Sequence, residues 1–288
     1  GSPRRVAPPF FTLHVPGLRI SSQDKGNPCA ARRVQASWLS RVTTMLRNII
    51  FLIFFIPYAV FFFITAVLIG WVDRSLRLYM YLYRAWTRPS LFVGRVRVER
   101  DLAAIPRQGP VIYMCNHQSY LDILVLYGYL GHLPFGYVAK DSLAKVPFLG
   151  QAMAAAGCVF INRDNPRKAM RSIDKAVQHT KKGWSILIFP EGTRGTDPED
   201  FLDFQVGGMV LALKTGLPIV PIVCTGTGVA MPRTGLLFAK GKHTIRVKAM
   251  EPIETQGKYT LKDREKLKTD LRELMLAQFK EMLGEQKG

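Results

Sequence analysis

The longest apolar pattern in the chain runs from Ile49 to Val72, 24 residues without a charged side chain. As a helix it would reach about 36 Å against a hydrocarbon core of about 30 Å, which predicts an N-terminal hydrophobic helical membrane segment over residues 45–88. Pro57 lies inside the run and is expected to kink or break the helix, because proline has no N–H to bond the preceding turn. Basic residues flank both ends, Arg41 and Arg47 before it and Arg74, Arg77, Arg84 and Arg88 after it. Charge therefore assigns no orientation. Two arrangements stay open: one tilted span, or a helical hairpin in one leaflet with both basic flanks on the same anionic surface.

After Pro89 the pattern changes. Val96 and Val98 alternate with Arg95, Arg97 and Glu99, the period of a half-exposed strand. Val111–Cys115, Gly136–Ala139, Cys158–Ile161, Ser185–Phe189, Ile219–Val223 and Thr244–Ala249 read as further strands. Helices are expected from about Tyr120, over Ser142–Ala156, from the Asn165-Pro166 start to about Lys182, and over Val206–Thr215 before Gly216. Pro218 and Pro221 limit their strand to an edge, or themselves to its start. A last helix covers Leu261–Leu283, opened by a Thr260/Asp263 capping box. Its apolar stripe is Leu267, Leu271, Leu274, Phe279 and Met282. The alternation predicts a layered α/β domain over residues 89–288 with a mostly parallel or mixed sheet.

Residues 1–44 follow neither pattern. They carry seven basic residues, eight with Arg47, against one acid, Asp24, together with Pro8, Pro9, Pro16 and Pro28. Gly1-Ser2 reads as a vector-derived scar, and the first methionine is Met45. This stretch is expected to be a disordered leader or upstream segment outside the fold, with a targeting role left open. Over the whole chain 40 Lys and Arg face 21 Asp and Glu, a net charge of +19. Such a balance seeks polyanions: nucleic acid, anionic lipid or a phosphorylated substrate. No zinc, helix-turn-helix or RNA-recognition signature accompanies it, so nucleic acid is not an expected partner and an anionic membrane surface is. Cys29, Cys115, Cys158 and Cys224 form no CxxC pair, and no HExxH occurs, so no metal or other cofactor is expected.

Four short segments put polar chemistry at the ends of expected strands. In Asn116-His117-Gln118-Ser119-Tyr120-Leu121-Asp122, His117 sits in the turn between strand and helix. On one continuous helix His117 and Asp122 would lie about 140° apart. From a turn the ring folds back toward the carboxylate, which would fix its tautomer and leave the second nitrogen as a base. Ser119-x-x-Asp122 also reads as a helix capping box, which explains the aspartate without catalysis; both readings stand. Phe189-Pro190-Glu191-Gly192-Thr193-Arg194-Gly195 brings an acid and an arginine out of an apolar strand together. Arg194 has the fork to grip a phosphate, and an ordinary turn closed by an ion pair is the plain alternative. Gly157-Cys158-Val159-Phe160-Ile161-Asn162-Arg163 ends in another arginine, and Lys140 follows the strand before it. Three cations at strand ends would make a phosphate cradle, while each alone reads as a solvated charge. The apolar strand of Pro218 and Pro221 is expected to shape a wall of the site.

In this order and spacing, N-H-x4-D, G-x-x-F-I-x-R, F-P-E-G-T-R and the apolar proline strand resemble the glycerolipid acyltransferase family over roughly residues 90–250, and within it the enzymes that acylate lysophosphatidic acid. The resemblance implies a membrane-bound O-acyltransferase that needs no metal and no covalent intermediate. It would move a fatty-acyl group from acyl-CoA or acyl-carrier protein to the sn-2 hydroxyl of a lysophospholipid, at the cytoplasmic face of a bacterial inner membrane. It makes His117 the general base and Asp122 its partner. It gathers Lys140, Arg163, Glu191, Gly192, Thr193 and Arg194 about the acceptor's phosphate, Glu191 by organising the loop. Gln205 departs from the pattern, since the family often carries lysine after the phenylalanine that Phe204 matches. The departure keeps other acceptors open, a lyso-ornithine lipid or glycerol-3-phosphate. A rival of another class is a non-catalytic membrane-binding protein. A lipid-ester hydrolase would need a G-x-S-x-G elbow, which the chain lacks.

Overall fold

The computed structural model describes residues 28–72, 77–130, 133–162, 165–197, 199–233, 235 and 237–287. The apolar run forms the later part of helix α1 (Pro28–Val72); residues 28–44, expected to lie outside the fold, are its beginning, and residues 1–27 are outside the described residues. The helix passes through Pro57 without a break. Proline inside a helix costs about 3 kcal/mol, and burying a phenylalanine returns about 1.5–3 kcal/mol. Phe51 and Phe62 are buried on either side of Pro57, Phe62 stacks on Trp86 with centroids 5.0 Å apart, and Tyr58 Oη donates to Ala85 O at 2.8 Å. Trp86 and Ala85 belong to α2 (Arg77–Val93).

Among the described residues no helix is long and apolar enough to cross a membrane. Of the two arrangements left open, the single span gives way to a helix that divides its side chains between core and surface. Arg47 donates to the carbonyls of Phe238 and Ala239 at 3.0 and 2.8 Å, and Ala66 is fully buried. Ile53, Phe61, Leu68 and Trp71 are exposed.

The remaining elements are β1 (Val96–Asp101), β2 (Ile112–Cys115), α3 (Leu121–Tyr129), β3 (Phe135–Lys140), α4 (Leu149–Ala155), β4 (Val159–Ile161), α5 (Pro166–Lys181), β5 (Ser185–Ile188), α6 (Gly207–Thr215), β6 (Ile219–Thr225), α7 (Thr227–Ala230), β7 (His243–Ala249) and α8 (Arg264–Lys287). Seven strands form one mixed sheet in the order β1-β7-β6-β2-β5-β3-β4. The run β6-β2-β5-β3-β4 is parallel, β7 is antiparallel to β6, and β1 is parallel to β7. Successive strand residues face opposite ways, and the core divides accordingly. Tyr113, Cys115, Leu187, Phe189, Val220 and Ile222 pack with α2 and α3 on one face. Ile112, Met114, Ile186, Ile188, Ile219 and Val223 pack with α5, α6 and α8 on the other.

Three expectations are corrected. β6 is an interior strand between β2 and β7, not an edge. A strand residue points its N–H and C=O to the same side. Pro221 accepts from Met250 N at 2.9 Å, one residue past the Ile222↔Ala249 pair that ends the ladder, so the bond it lacks falls just outside the ladder. The helix expected over Ser142–Ala156 is split into a 3-10 turn at Asp141–Lys145 and α4, because Pro147 holds Val146 extended (φ −76°, ψ 120°). On α8 the buried stripe is Leu267, Leu271, Met275, Phe279 and Met282, and Leu274 is exposed. Steps of four residues, and a last one of three to Met282, keep that stripe on one side, and Leu274 lies about 100° away from Met275.

Candidate active site

The parallel strands end together along one sheet edge, the place where open α/β sheets form a crevice. β2 is flanked there by β5 and β6. Asn116, fully buried, ties the end of β2 to β6: its Nδ2 donates to Cys224 O at 2.9 Å, and its Oδ1 accepts from Cys224 N at 2.8 Å. His117 follows, two residues beyond Cys115 and so on the α3 face of the sheet. Its ring stacks on Phe189 at 4.0 Å, and its side chain is 12% exposed.

His117 Nδ1 lies 2.7 Å from Asp122 Oδ2. The same oxygen accepts from Gln118 N at 2.8 Å and Ser119 N at 2.9 Å. Asp122 thus makes one half of the expected capping box, the bond from Ser119 N, and receives the imidazole on the same oxygen; the reciprocal half is absent, since Asp122 N donates to Ser119 O. A carboxylate accepts only, so Nδ1 carries a proton, and in the neutral imidazole the lone pair is therefore on Nε2. Asp122 is 0% exposed, so the pair is shielded from water. Ser119 fixes the turn from the other side, donating to Met231 O at 2.7 Å.

Glu191 emerges beside His117 from the end of β5, and it is buried. Its Oε1 accepts from His117 N at 2.7 Å and its Oε2 from Leu202 N at 3.0 Å. The next turn closes on the same group: Gly195 N donates to His117 O at 2.7 Å, and Gln205 N donates to Pro190 O at 2.7 Å. Gly192 makes that turn at φ 74°, a conformation that costs a residue with a Cβ about 1–2 kcal/mol. Burial pushes the Glu191 carboxyl up to about 7; the two N–H donors and Arg272 oppose that shift, and the charge of Asp122 adds to it. Burial likewise holds the Cys115 and Cys224 thiols well above their ordinary range, so both stay protonated.

Arg194 lies at the rim. Its guanidinium covers the Tyr120 ring at 3.8 Å, and Nη1 donates to Arg233 O at 3.0 Å. Thr193 is exposed. Lys140 ends β3, two strand positions from β2, and is exposed on the same edge without joining the hydrogen-bonded group. Arg163 lies outside the described residues. On the other side of the sheet, between α5 and α6, a cavity of about 630 Å³ reaches the Glu191-Gly192-Thr193 turn. Its walls are apolar, with Val138, Ile161, Ile173, Ile188 and Val210 among them, and Gln205 also borders it. The sequence pattern points to neither this cavity nor Phe189 as the platform of the histidine. A bulky aromatic at the end of the buried strand preceding Glu191 was the available signal for the platform.

Residues 95–225 match the family model described as Acyltransferase. The chain is 30% identical over 251 residues to a chloroplastic 1-acyl-sn-glycerol-3-phosphate acyltransferase of Arabidopsis thaliana, LPAT1, a match covering 86% of this chain and 64% of that protein. It is 35% identical over 175 residues to the 1-acyl-sn-glycerol-3-phosphate acyltransferase of Saccharomyces cerevisiae, covering 57% of this chain and 56% of that one. The chain spans less than two thirds of the length of these relatives. Among solved structures it is similar to the 1-acyl-sn-glycerophosphate (LPA) acyltransferase PlsC of Thermotoga maritima, with a TM-score of 0.71 and 23% identity over 84% of this chain and 97% of that one. That likeness establishes the fold.

Proposed function

We propose that this chain, whose residues 95–225 match the family model described as Acyltransferase, transfers a fatty-acyl group from acyl-CoA or acyl-carrier protein to the sn-2 hydroxyl of lysophosphatidic acid, giving phosphatidic acid. The observation that carries the reading is the His117–Asp122 pair at 2.7 Å, with the aspartate fully buried and the histidine side chain 12% exposed. Nε2 takes the proton of the acceptor hydroxyl as its oxygen attacks the thioester carbonyl. The tetrahedral adduct then expels the thiolate, which leaves with the proton held on the imidazolium. A base so placed contributes about 10²–10⁴-fold. Asp122 stabilises the imidazolium without contacting substrate. Arg194, set against Tyr120 at the rim, is the cation assigned to the acceptor's phosphate. The apolar cavity beyond Gly192 is of a size and lining suited to a hydrocarbon chain.

The same reading places the protein on an anionic membrane surface, at the cytoplasmic face of a bacterial inner membrane. Trp71 and Phe92 are each 82% exposed, and with Phe61 and Leu68 they line the outer sides of α1 and α2. Exposed apolar groups beside arginines suit insertion into one leaflet.

The test is acyl transfer from a labelled thioester to lysophosphatidic acid in detergent micelles, wild type against His117→Ala. A loss of about a hundredfold or more supports both base and substrate class. An enzyme active with another lyso-lipid or glycerol-3-phosphate but inert with lysophosphatidic acid keeps the mechanism and replaces the acceptor, a result that Gln205 would then explain. Equal activity of the two proteins refutes the base, and the rival membrane-binding role would follow.

A further inference from the structure

Resting on the reading of His117 as the base, we propose that Arg272 of α8, outside the span matched to the family, is a positioning residue: it holds the 200–202 segment and, through Glu191, the backbone of His117. The contacts form one continuous chain. The Arg272 guanidinium donates to Phe201 O at 2.6 Å and to Leu202 O at 3.4 Å, and it pairs with Asp200 at 3.1 Å. Leu202 N donates to Glu191 Oε2 at 3.0 Å, and Glu191 Oε1 receives the His117 N–H at 2.7 Å. The helix beneath is firm, since Leu271 and Met275 on either side of Arg272 are 0% exposed.

Charge acts along the same path. Both oxygens of Glu191 serve as acceptors. A protonated carboxyl would turn a hydroxyl toward one of the two N–H groups, loosening either Leu202 or His117. Asp122 on α3 opposes ionisation of Glu191, and the thiol of Cys115 lies nearby at the end of β2. The two N–H donors and Arg272, itself paired with Asp200, favour ionisation. Burial has already raised the Glu191 carboxyl to about 7. Neutralising Arg272 raises it further, so a larger share of the protein holds a loosened His117 at neutral pH.

The experiment is the pH dependence of kcat and KM for acyl transfer to lysophosphatidic acid by wild type, Arg272→Lys, Arg272→Gln and the Arg272→Gln/Glu191→Gln double variant. Arg272→Gln is expected to lose about fivefold in kcat at pH 7, the loss that a one-unit rise from about 7 produces there. Its KM stays within about twofold of wild type, as for a change that leaves uniform binding alone. Its kcat recovers in alkaline buffer, Arg272→Lys keeps the wild-type acid limb, and the double variant shows no displaced limb. A loss in Arg272→Gln that is uniform with pH, or one carried in KM, overturns the proposal. If Arg272→Gln lacks a cooperative melt, Asp200→Asn decides: removing that acid leaves Arg272 to act on Glu191 alone, so the limb must move down, and an unmoved limb overturns the proposal. Failure of the parent reading shows separately, as an active His117→Ala.

Discussion

Replacing Asp122 by Asn tests the pair at its centre. Asp122 Oδ2 accepts three hydrogen bonds, from His117 Nδ1 at 2.7 Å, Gln118 N at 2.8 Å and Ser119 N at 2.9 Å, and Oδ1 is buried with no partner among the described residues. Asparagine keeps these bonds if its carbonyl oxygen takes the Oδ2 position, since the opposite orientation sets an NH2 against two backbone N–H donors. The new NH2 then sits buried where Oδ1 was, at a cost of about 1–3 kcal/mol for an unsatisfied polar group. The fold should therefore survive with a lowered melting temperature. Catalysis suffers more, because the negative charge that stabilises the imidazolium is gone. A loss of about 10²–10⁴ in kcat is expected, about 2.7–5.5 kcal/mol of barrier. KM should hardly move, since Asp122 is 0% exposed and has no surface for substrate to meet. The assay is steady-state acyl transfer from a labelled thioester to lysophosphatidic acid, beside circular-dichroism melting of the same preparations. A kcat within about threefold of wild type in a folded Asp122→Asn protein would refute the reasoning, because the aspartate would then be a helix cap alone.

Glu191, raised from 4.5 to about 7, binds its proton in the folded state before the unfolded one does, so its contribution to stability is complete below pH 4.5 and lost as pH rises through about 7. Denaturant melts of wild type and Glu191→Gln from pH 5 to 8 should converge on that account by up to about 3 kcal/mol, and parallel curves would contradict it. Gly226→Ala places a Cβ 2.5 Å from Thr244 O at φ 86°, so a loss above about 1–2 kcal/mol is expected, read as a lower urea midpoint. On α8, Met275→Ala should cost about 2–5 kcal/mol by the same measurement and Leu274→Ala within about 0.5 kcal/mol, the reverse of what the sequence stripe implies.

The candidate site was legible where chemistry is written in residue type and order. His117, Asp122, Glu191 and Arg194 stand next to the ends of apolar runs, and a strand's end is where a polar side chain meets solvent, so their gathering at one sheet edge follows from local pattern. The plain reading of Asp122 as a capping-box residue was legible too, and the structure sets its bond to Ser119 N beside the contact with the imidazole because one carboxylate oxygen has room for all three donors. Less legible was everything carried by distant partners. Nothing in the helical pattern of α8 marks Arg272 as the residue that grips Phe201 O, because a charge on an amphipathic helix looks the same whether it faces water or a loop.

The α/β alternation, the capping box at Thr260, the helix start at Asn165 and the chemistry of the strand-end motifs were determined by sequence alone, because each depends on neighbours within a few residues. Strand order, the interior place of β6 despite Pro221, the continuity of α1 through Pro57 and the cavity between α5 and α6 were decided by tertiary structure alone. In each of these the deciding term lies between segments far apart in the chain: a ladder that stops one residue short of a proline, aromatic rings of α2 packed beside a helix flaw, and the space left between two helices on one sheet face. Local pattern states what a residue prefers, and packing against remote surfaces decides which preference gives way.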